Sequence, residues 1–132
     1  MTKAQTRDAL EIWGGFDRRA AELCKSAALR ESQLDQMDET LKRARAQIRS
    51  AIRDDRAELR RITDVWRRVE AAVQALRPDE REIIRRKYVE RRNMPYIAVM
   101  MGLSERTVYY YRREAERKIG ETIGRKRKGD EE

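Results

Sequence analysis

Hydrophobic residues recur at alternating spacings of three and four along the first half of the chain. Ala9, Trp13, Phe16, Ala20, Leu23 and Ala27 begin a seam that Leu34, Met37, Leu41, Ala44, Ile48 and Ala51 continue, and Arg30 is its interruption. This alternation places apolar side chains on one stripe of a helix, the heptad pattern that packs helices side by side. The register breaks at Asp55, and a second seam runs through Leu59, Ile62, Trp66, Val69, Val73 and Leu76. Residues 16–77 hold neither glycine nor proline and are rich in strong helix formers. A four-residue slip can be absorbed within a continuous helix or can mark a turn. Asp54 and Asp55 are good N-cap residues, Asp55 with Glu58 resembles a capping box, and Ser32 with Asp35 is a weaker break of the same kind. One helix from Phe16 to Arg77 would be about 90 Å long. A break would let the two seams cover each other, so a break is expected, at a place the pattern leaves open. Gly14-Gly15 falls inside the first seam and reads as a kink or a frayed end, since each glycine costs a helix about 1 kcal/mol relative to alanine.

The second half is punctuated differently. Pro78, followed by Asp79, Glu80 and Glu82, suits the first turn of a helix. Ile83, Ile84, Tyr88 and Val89 give that helix an apolar face, and Asn93-Met94-Pro95 breaks it. A short helix over Pro95–Met101, a turn at Gly102-Leu103-Ser104 and a helix from Glu105 to about Ile119 follow, with Gly120 and Gly124 near the end. The stretch from Arg125 onward has no apolar residue, which predicts disorder. The expected architecture is all-α: long heptad-bearing helices over 1–76, as a coiled coil or hairpin for oligomerisation or partner binding; a helix-turn-helix domain over 77–123; and a disordered charged tail over 124–132.

Residues 96–113 carry the functional signal. A helix-turn-helix needs a small residue early in its first helix (Ala98), a sharply turning residue (Gly102, with positive φ), an apolar plug (Leu103), an N-cap (Ser104, whose hydroxyl accepts from the Thr107 amide) and an inward apolar position (Val108). All five stand at the required offsets. Val108, Tyr111, Ala115 and Ile119 then face the core, while Arg106, Tyr109, Tyr110, Arg113 and Arg117 occupy the other face. Recognition helices read base edges mainly with residues near their N-terminus. Arginine can pair bidentately with guanine, and tyrosine can touch a thymine methyl or a phosphate. Ser104 and Thr107 at the helix N-terminus suit a phosphate. The expected DNA-binding set is Ser104, Arg106, Thr107, Tyr109, Tyr110, Arg112, Arg113 and Arg117, with phosphate contacts from Arg91, Arg92, Arg125, Lys126, Arg127 and Lys128. Arg85, Arg86 and Lys87 stand at even odds between phosphate and solvent. The three successive tyrosines point in different directions on a helix, which argues against a base-stacking platform.

Composition narrows the function class. The chain has 132 residues, 42% of them charged, and a net charge of +8. Histidine is absent and Cys24 is the single cysteine. No Ser-His or Cys-His pair, Cys/His zinc site or internal disulfide can form within the chain, so neither an enzyme nor a bound metal or cofactor is expected. Cys24 is expected as a buried structural thiol. Carboxylates alternate with arginines and read as surface ion pairs. The longest apolar run, Ile97 to Met101, is too short to span a membrane. The N-terminus lacks a secretory apolar region, so a cytoplasmic, nucleoid-associated protein of a bacterial host is expected.

The segment from Leu76 to Ile119 resembles the fourth region of sigma factors, through Leu76-x-Pro78, Arg81-x-Ile83-Ile84, Tyr88, Tyr96-Ile97-Ala98, Gly102-Leu103-Ser104-x-x-Thr107-Val108, Arg112 and Ala115. No promoter-melting region precedes it. The organisation is similar to phage late-gene regulators of the ArpU/RinA kind, in which a helical region precedes a sigma-like domain and a charged tail. That resemblance implies a sequence-specific, double-stranded-DNA-binding transcription regulator, phage or prophage encoded. It would dimerise through its N-terminal helices or hold a partner such as RNA polymerase, with no membrane and no small-molecule substrate. A small terminase subunit is the alternative, and a structural coiled-coil protein a third reading.

Overall fold

The helices begin and end where the sequence supplies caps. The computed structural model describes residues 1–130, with side chains through 125. Six helices span α1 (Lys3–Gly14), α2 (Phe16–Gln36), α3 (Lys42–Gln74), α4 (Pro78–Ile84), α5 (Met94–Met101) and α6 (Glu105–Asp130), and a π-helical turn, Arg85–Val89, continues α4. No strand occurs among the described residues, so the fold is all-α as expected. Thr2 and Gln5 form a capping box on α1: the Gln5 amide donates to the Thr2 hydroxyl at 3.1 Å, and the Thr2 amide donates to the Gln5 side chain at 2.9 Å.

The break in the long seam lies at residues 37–41, and neither Asp54-Asp55, inside α3, nor Ser32-Asp35, inside α2, interrupts a helix. Asp38 makes the turn. Its carboxylate accepts from both the amide and the hydroxyl of Thr40 at 2.9 Å. Those bonds, the backbone one first, hold the Asp38 carboxyl below its ordinary range. Arg45 then satisfies the orphan carbonyls of α2, donating to Leu34 at 2.8 Å and Met37 at 3.1 Å.

The chain divides into two compact units, residues 16–64 and residues 1–15 with 65–132. The first is a helical hairpin of α2 and the leading part of α3. Leu23, Ala27, Ile52 and Ile62 are buried in it. Its two helices run antiparallel, as the contacts Leu34–Arg45 (2.8 Å) near the turn and Arg30–Asp55 (2.6 Å) farther from it require, and Glu31 and Arg56 add a further cross-link. The two polar interruptions of the apolar pattern, Arg30 and Asp55, are thus each other's partners. Arg30 also donates to Ser26 at 2.7 Å. Cys24, expected to be buried, is exposed, because the seam buries Leu23 and Ala27 and turns the next position outward.

The second unit takes in both the first fifteen residues and the chain from Val65 onward, whereas the sequence pattern divides the chain after residue 76. The first helix of the heptad seam belongs to this unit. It packs on the C-terminal helices, together with the end of α3. Leu10 and Trp13 join Val69, Val73, Leu76, Ile84, Tyr88, Ala115, Ile119 and Ile123 in one core. Full burial of side chains of this size contributes about 1.5–3 kcal/mol each. The Trp13 indole donates to Glu70 at 2.8 Å, Gln74 donates to the same carboxylate at 2.8 Å, and Arg85 pairs with it at 3.2 Å. Burial opposes the charge on Glu70, but the hydrogen bonds from Gln74 and Trp13 and the Arg85 guanidinium together hold its carboxyl below the usual range. Glu80 is buried at the start of α4. It accepts the Arg77 amide at 3.2 Å and binds Lys118 of α6 at 2.9 and 3.0 Å, which locks α4 to α6.

Glycines permit two close approaches. A Cβ at Gly14 would lie 2.1 Å from the Tyr88 carbonyl oxygen, so α1 crosses the π turn where only glycine fits. A Cβ at Gly120 would lie 2.6 Å from the Thr6 hydroxyl. The helix expected to end near Ile119 therefore continues, with Gly120 against Thr6 and Ile123 in the core. The backbone of 124–130, expected to be disordered, is helical within α6, and residues 131–132 lie outside the described residues.

These crossings predict a compensating pair. Gly120→Ala and Gly14→Ala each destabilise the protein by about 1–3 kcal/mol in urea unfolding. Adding Thr6→Ala recovers part of the loss in the Gly120→Ala background and none in the Gly14→Ala background, where the obstruction is backbone.

Candidate nucleic-acid interface

The α5–turn–α6 segment is built as a helix-turn-helix. Asn93 caps α5 by accepting the Tyr96 amide at 2.9 Å, and Gly102 ends it with φ 66° and ψ 31°, the left-handed conformation expected there. The Gly102 amide donates to Val99 at 3.2 Å and the Leu103 amide to Ala98 at 3.0 Å. Ile83, Met94, Ile97, Ala98 and Val108 form a second small core, covered in part by Met101 and Tyr111, and Leu103 is half-buried in the turn. Ser104 caps α6: the Thr107 amide donates to its hydroxyl at 3.2 Å, and the two hydroxyls are 2.8 Å apart.

The expected outer face splits into three groups. Arg106, Tyr109, Tyr110 and Arg113 share one exposed stripe on the first turns of α6, with Tyr109 44% and Tyr110 54% exposed. Neither Arg106 nor Arg113 makes an ion pair among the described residues. Tyr111 turns inward, and its ring meets that of Tyr110 at 54°, so the tyrosines form no flat platform. Arg117 is exposed but already flanked, by Glu114 and Glu121 at 2.8 Å each.

Arg112, expected among the DNA-contacting residues, has a side chain only 16% exposed that pairs with Glu116 at 3.1 Å. One turn from both Val108 and Glu116, it lies on the inner edge of α6, over the Tyr88 ring at 6.0 Å. The Tyr88 hydroxyl donates to Glu116 at 2.5 Å, and Arg7 of α1 reaches the same carboxylate at 3.5 Å. Burial, reinforced by the bond to Glu116, pushes the Tyr88 hydroxyl up to about 12. This network joins the π turn, α1 and α6, and it fixes the roll of the helix that carries Arg106 and Arg113.

The other basic positions are mostly engaged. Arg91, in the left-handed region at φ 58°, pairs with Glu11 at 2.8 Å. Arg92 is exposed and lies over the Tyr96 ring at 4.8 Å. Arg85 meets Glu70 and the Trp13 ring, and Arg86 pairs with Glu82 and Glu90. Arg125 is 80% exposed and reaches Glu121 at 3.5 Å. The side chains of Lys126, Arg127 and Lys128 lie outside the described residues. The contribution of α1 was missed. A groove of about 520 Å³ between α1 and α6 brings Lys3 and Arg7 beside Arg113 and Arg117. The spacing of Ala9 and Trp13 fits the heptad equally well, so Gly14 was the available sign that this helix packs closely on something else.

Residues 66–119 match the family model of Sigma-70, region 4, a helix-turn-helix DNA-binding domain. The matched segment starts at Trp66, inside α3, where the compact unit also begins. It is sigma-region-4-like, and the likeness supports DNA binding by this unit. No curated protein and no solved structure matches the chain.

The network predicts a pH-dependent stability. The Tyr88 hydroxyl is raised from an ordinary 10.0, so the native state holds that proton more tightly than the unfolded chain. Its contribution is complete below about pH 10 and is lost as pH rises through about 12. Tyr88→Phe costs about 1 kcal/mol at neutral pH. In unfolding measured from pH 8 to about 12, the difference between the parent chain and the variant shrinks across that window.

Proposed function

We propose that this chain is a sequence-specific, double-stranded-DNA-binding transcription regulator, phage or prophage encoded, that places the first turns of α6 in the major groove. One observation carries the reading: the exposed stripe of Arg106, Tyr109, Tyr110 and Arg113, with neither arginine ion-paired among the described residues, follows a capped helix-turn-helix inside a sigma-region-4-like segment. Ser104 and Thr107 hold a phosphate at the helix N-terminus. Arg106 and Arg113 pair with base edges, Tyr109 and Tyr110 touch thymine methyls or phosphates, and Arg92 contacts the backbone nearby. Arg117 and Arg125, flanked by glutamates, contribute sequence-independent attraction. The α2–α3 hairpin is the association module, joining two copies or holding RNA polymerase, with Leu29 (58% exposed) and Leu41 (52%) as apolar contacts. A dimer would read two half-sites related by a two-fold axis. The protein acts on DNA in the host cytoplasm, and no described helix is long and apolar enough to cross a membrane.

Selection of bound fragments from the source genome at near-physiological salt tests the assignment. Enrichment upstream of virion genes is expected, while enrichment at a packaging start site, with eight or more subunits per particle, would replace it with a terminase function. On the selected site, Arg113→Ala costs about 1–3 kcal/mol and relaxes the preference at one position. Unchanged binding would remove α6 from the groove.

A further inference from the structure

The outer face of α3 presents a second basic surface, remote in sequence from the helix-turn-helix. Lys42, Arg49, Arg53, Arg56 and Arg60 are all exposed. From Arg49 they follow spacings of four, three and four, so they fall on one stripe of the helix. The stripe flanks the side that holds Ile48, Ile52, Asp55, Leu59 and Ile62, which are buried or half-buried.

Several arginines elsewhere in the chain have a carboxylate partner within a turn. Arg117 has Glu114 and Glu121, Arg86 has Glu82 and Glu90, and Arg61 has Glu58. From Arg49 to Arg60 the neighbours along this stripe are other arginines, with Arg49 facing Arg53 and Arg56 between Arg53 and Arg60, and the first carboxylate is Asp64, one turn beyond Arg60. Like charges at those spacings disfavour the helix. Arg56 meets Glu31 of α2, but Arg49, Arg53 and Arg60 make no ion pair among the described residues. Arg49 to Arg60 spans about 16 Å along the axis, too long for one small anion and suited to an extended polyanion.

We infer that the exposed stripe of Arg49, Arg53 and Arg60 on the hairpin is a sequence-independent contact for the phosphate backbone of duplex DNA. The choice of duplex rests on the DNA-binding reading of the sigma-like unit. The stripe carries no aromatic side chain among its arginines, so it adds affinity and salt dependence without adding specificity. It gives the hairpin a role in holding DNA beyond association.

The test uses the full chain with Arg49→Gln, Arg53→Gln and Arg60→Gln together, because glutamine keeps helix propensity and stem length. A control removes the same charge from α2 through Arg18→Gln, Arg19→Gln and Lys25→Gln, with helicity of both checked by circular dichroism. Binding is measured on the selected duplex and on an unrelated duplex across a salt series. The stripe variant weakens both by the same factor, and its plot of log affinity against log salt flattens by about 2.7, from about 0.9 per lost phosphate contact. The control leaves the slope within one contact of the parent chain. An unchanged slope or an equal change in the control would overturn the proposal. The two readings fail separately. Discrimination lost in Arg113→Ala with no slope change in the stripe variant keeps the recognition helix and rejects the stripe. The converse keeps the stripe and rejects the recognition helix.

Discussion

Tyr88 is the residue through which the C-terminal unit is held together. Its ring is buried to 2% exposure, its carbonyl is the surface that α1 crosses at Gly14, and its hydroxyl binds Glu116. Glu116 in turn gathers Arg112 from α6 and Arg7 from α1. The π turn matters because an extra residue in a helix changes where the following side chains and carbonyls point. Here Glu90 donates its amide five residues back, to Arg85 at 3.1 Å, and the bulged backbone offers the Tyr88 carbonyl to α1. A substitution that moved Tyr88 would disturb the seat of α1 and the roll of α6 together.

This arrangement explains how so basic a chain keeps a narrow functional face. Most arginines of the C-terminal unit have a structural partner: Arg85 on Glu70, Arg86 on Glu82, Arg91 on Glu11, Arg112 on Glu116 and Arg117 on two glutamates. Arg81 caps the end of α3 through the carbonyls of Gln74 and Leu76. Exposed pairs of this kind contribute little to stability. They do lower the local positive potential, so the unpaired Arg106 and Arg113 stand out against a balanced background. The first fifteen residues belong to the same logic, since α1 packs against α6 and brings Arg7 to its side.

Local rules made much of this legible. The αL glycine at 102, the Ser104 cap and the inward positions Ala98, Val108, Ala115 and Ile119 follow from helix-turn-helix geometry and stand where the sequence puts them. Tertiary choices were not legible. A three-four spacing says that Ala9 and Trp13 need a partner, but it does not name one, and the partner is the C-terminal core. Arg30 and Asp55 each look like flaws in a seam, and only the hairpin register shows that they are a pair. The turn at 37–41 was missed because Asp38-Glu39-Thr40 breaks the helix without glycine or proline. Arg112 looked basic and surface-bound, and its burial depends on the position of Tyr88, 24 residues away.

The proposed function places the stripe of Arg106 and Arg113 in the major groove. Methylation footprinting of the complex addresses it directly, since dimethyl sulfate modifies guanine N7 in the major groove and adenine N3 in the minor groove. With the stripe in the groove, guanine N7 is protected within the bound site, and Arg113→Ala loses that protection at one guanine. Protection confined to adenine N3, with every guanine N7 as reactive as in free DNA, would contradict that placement.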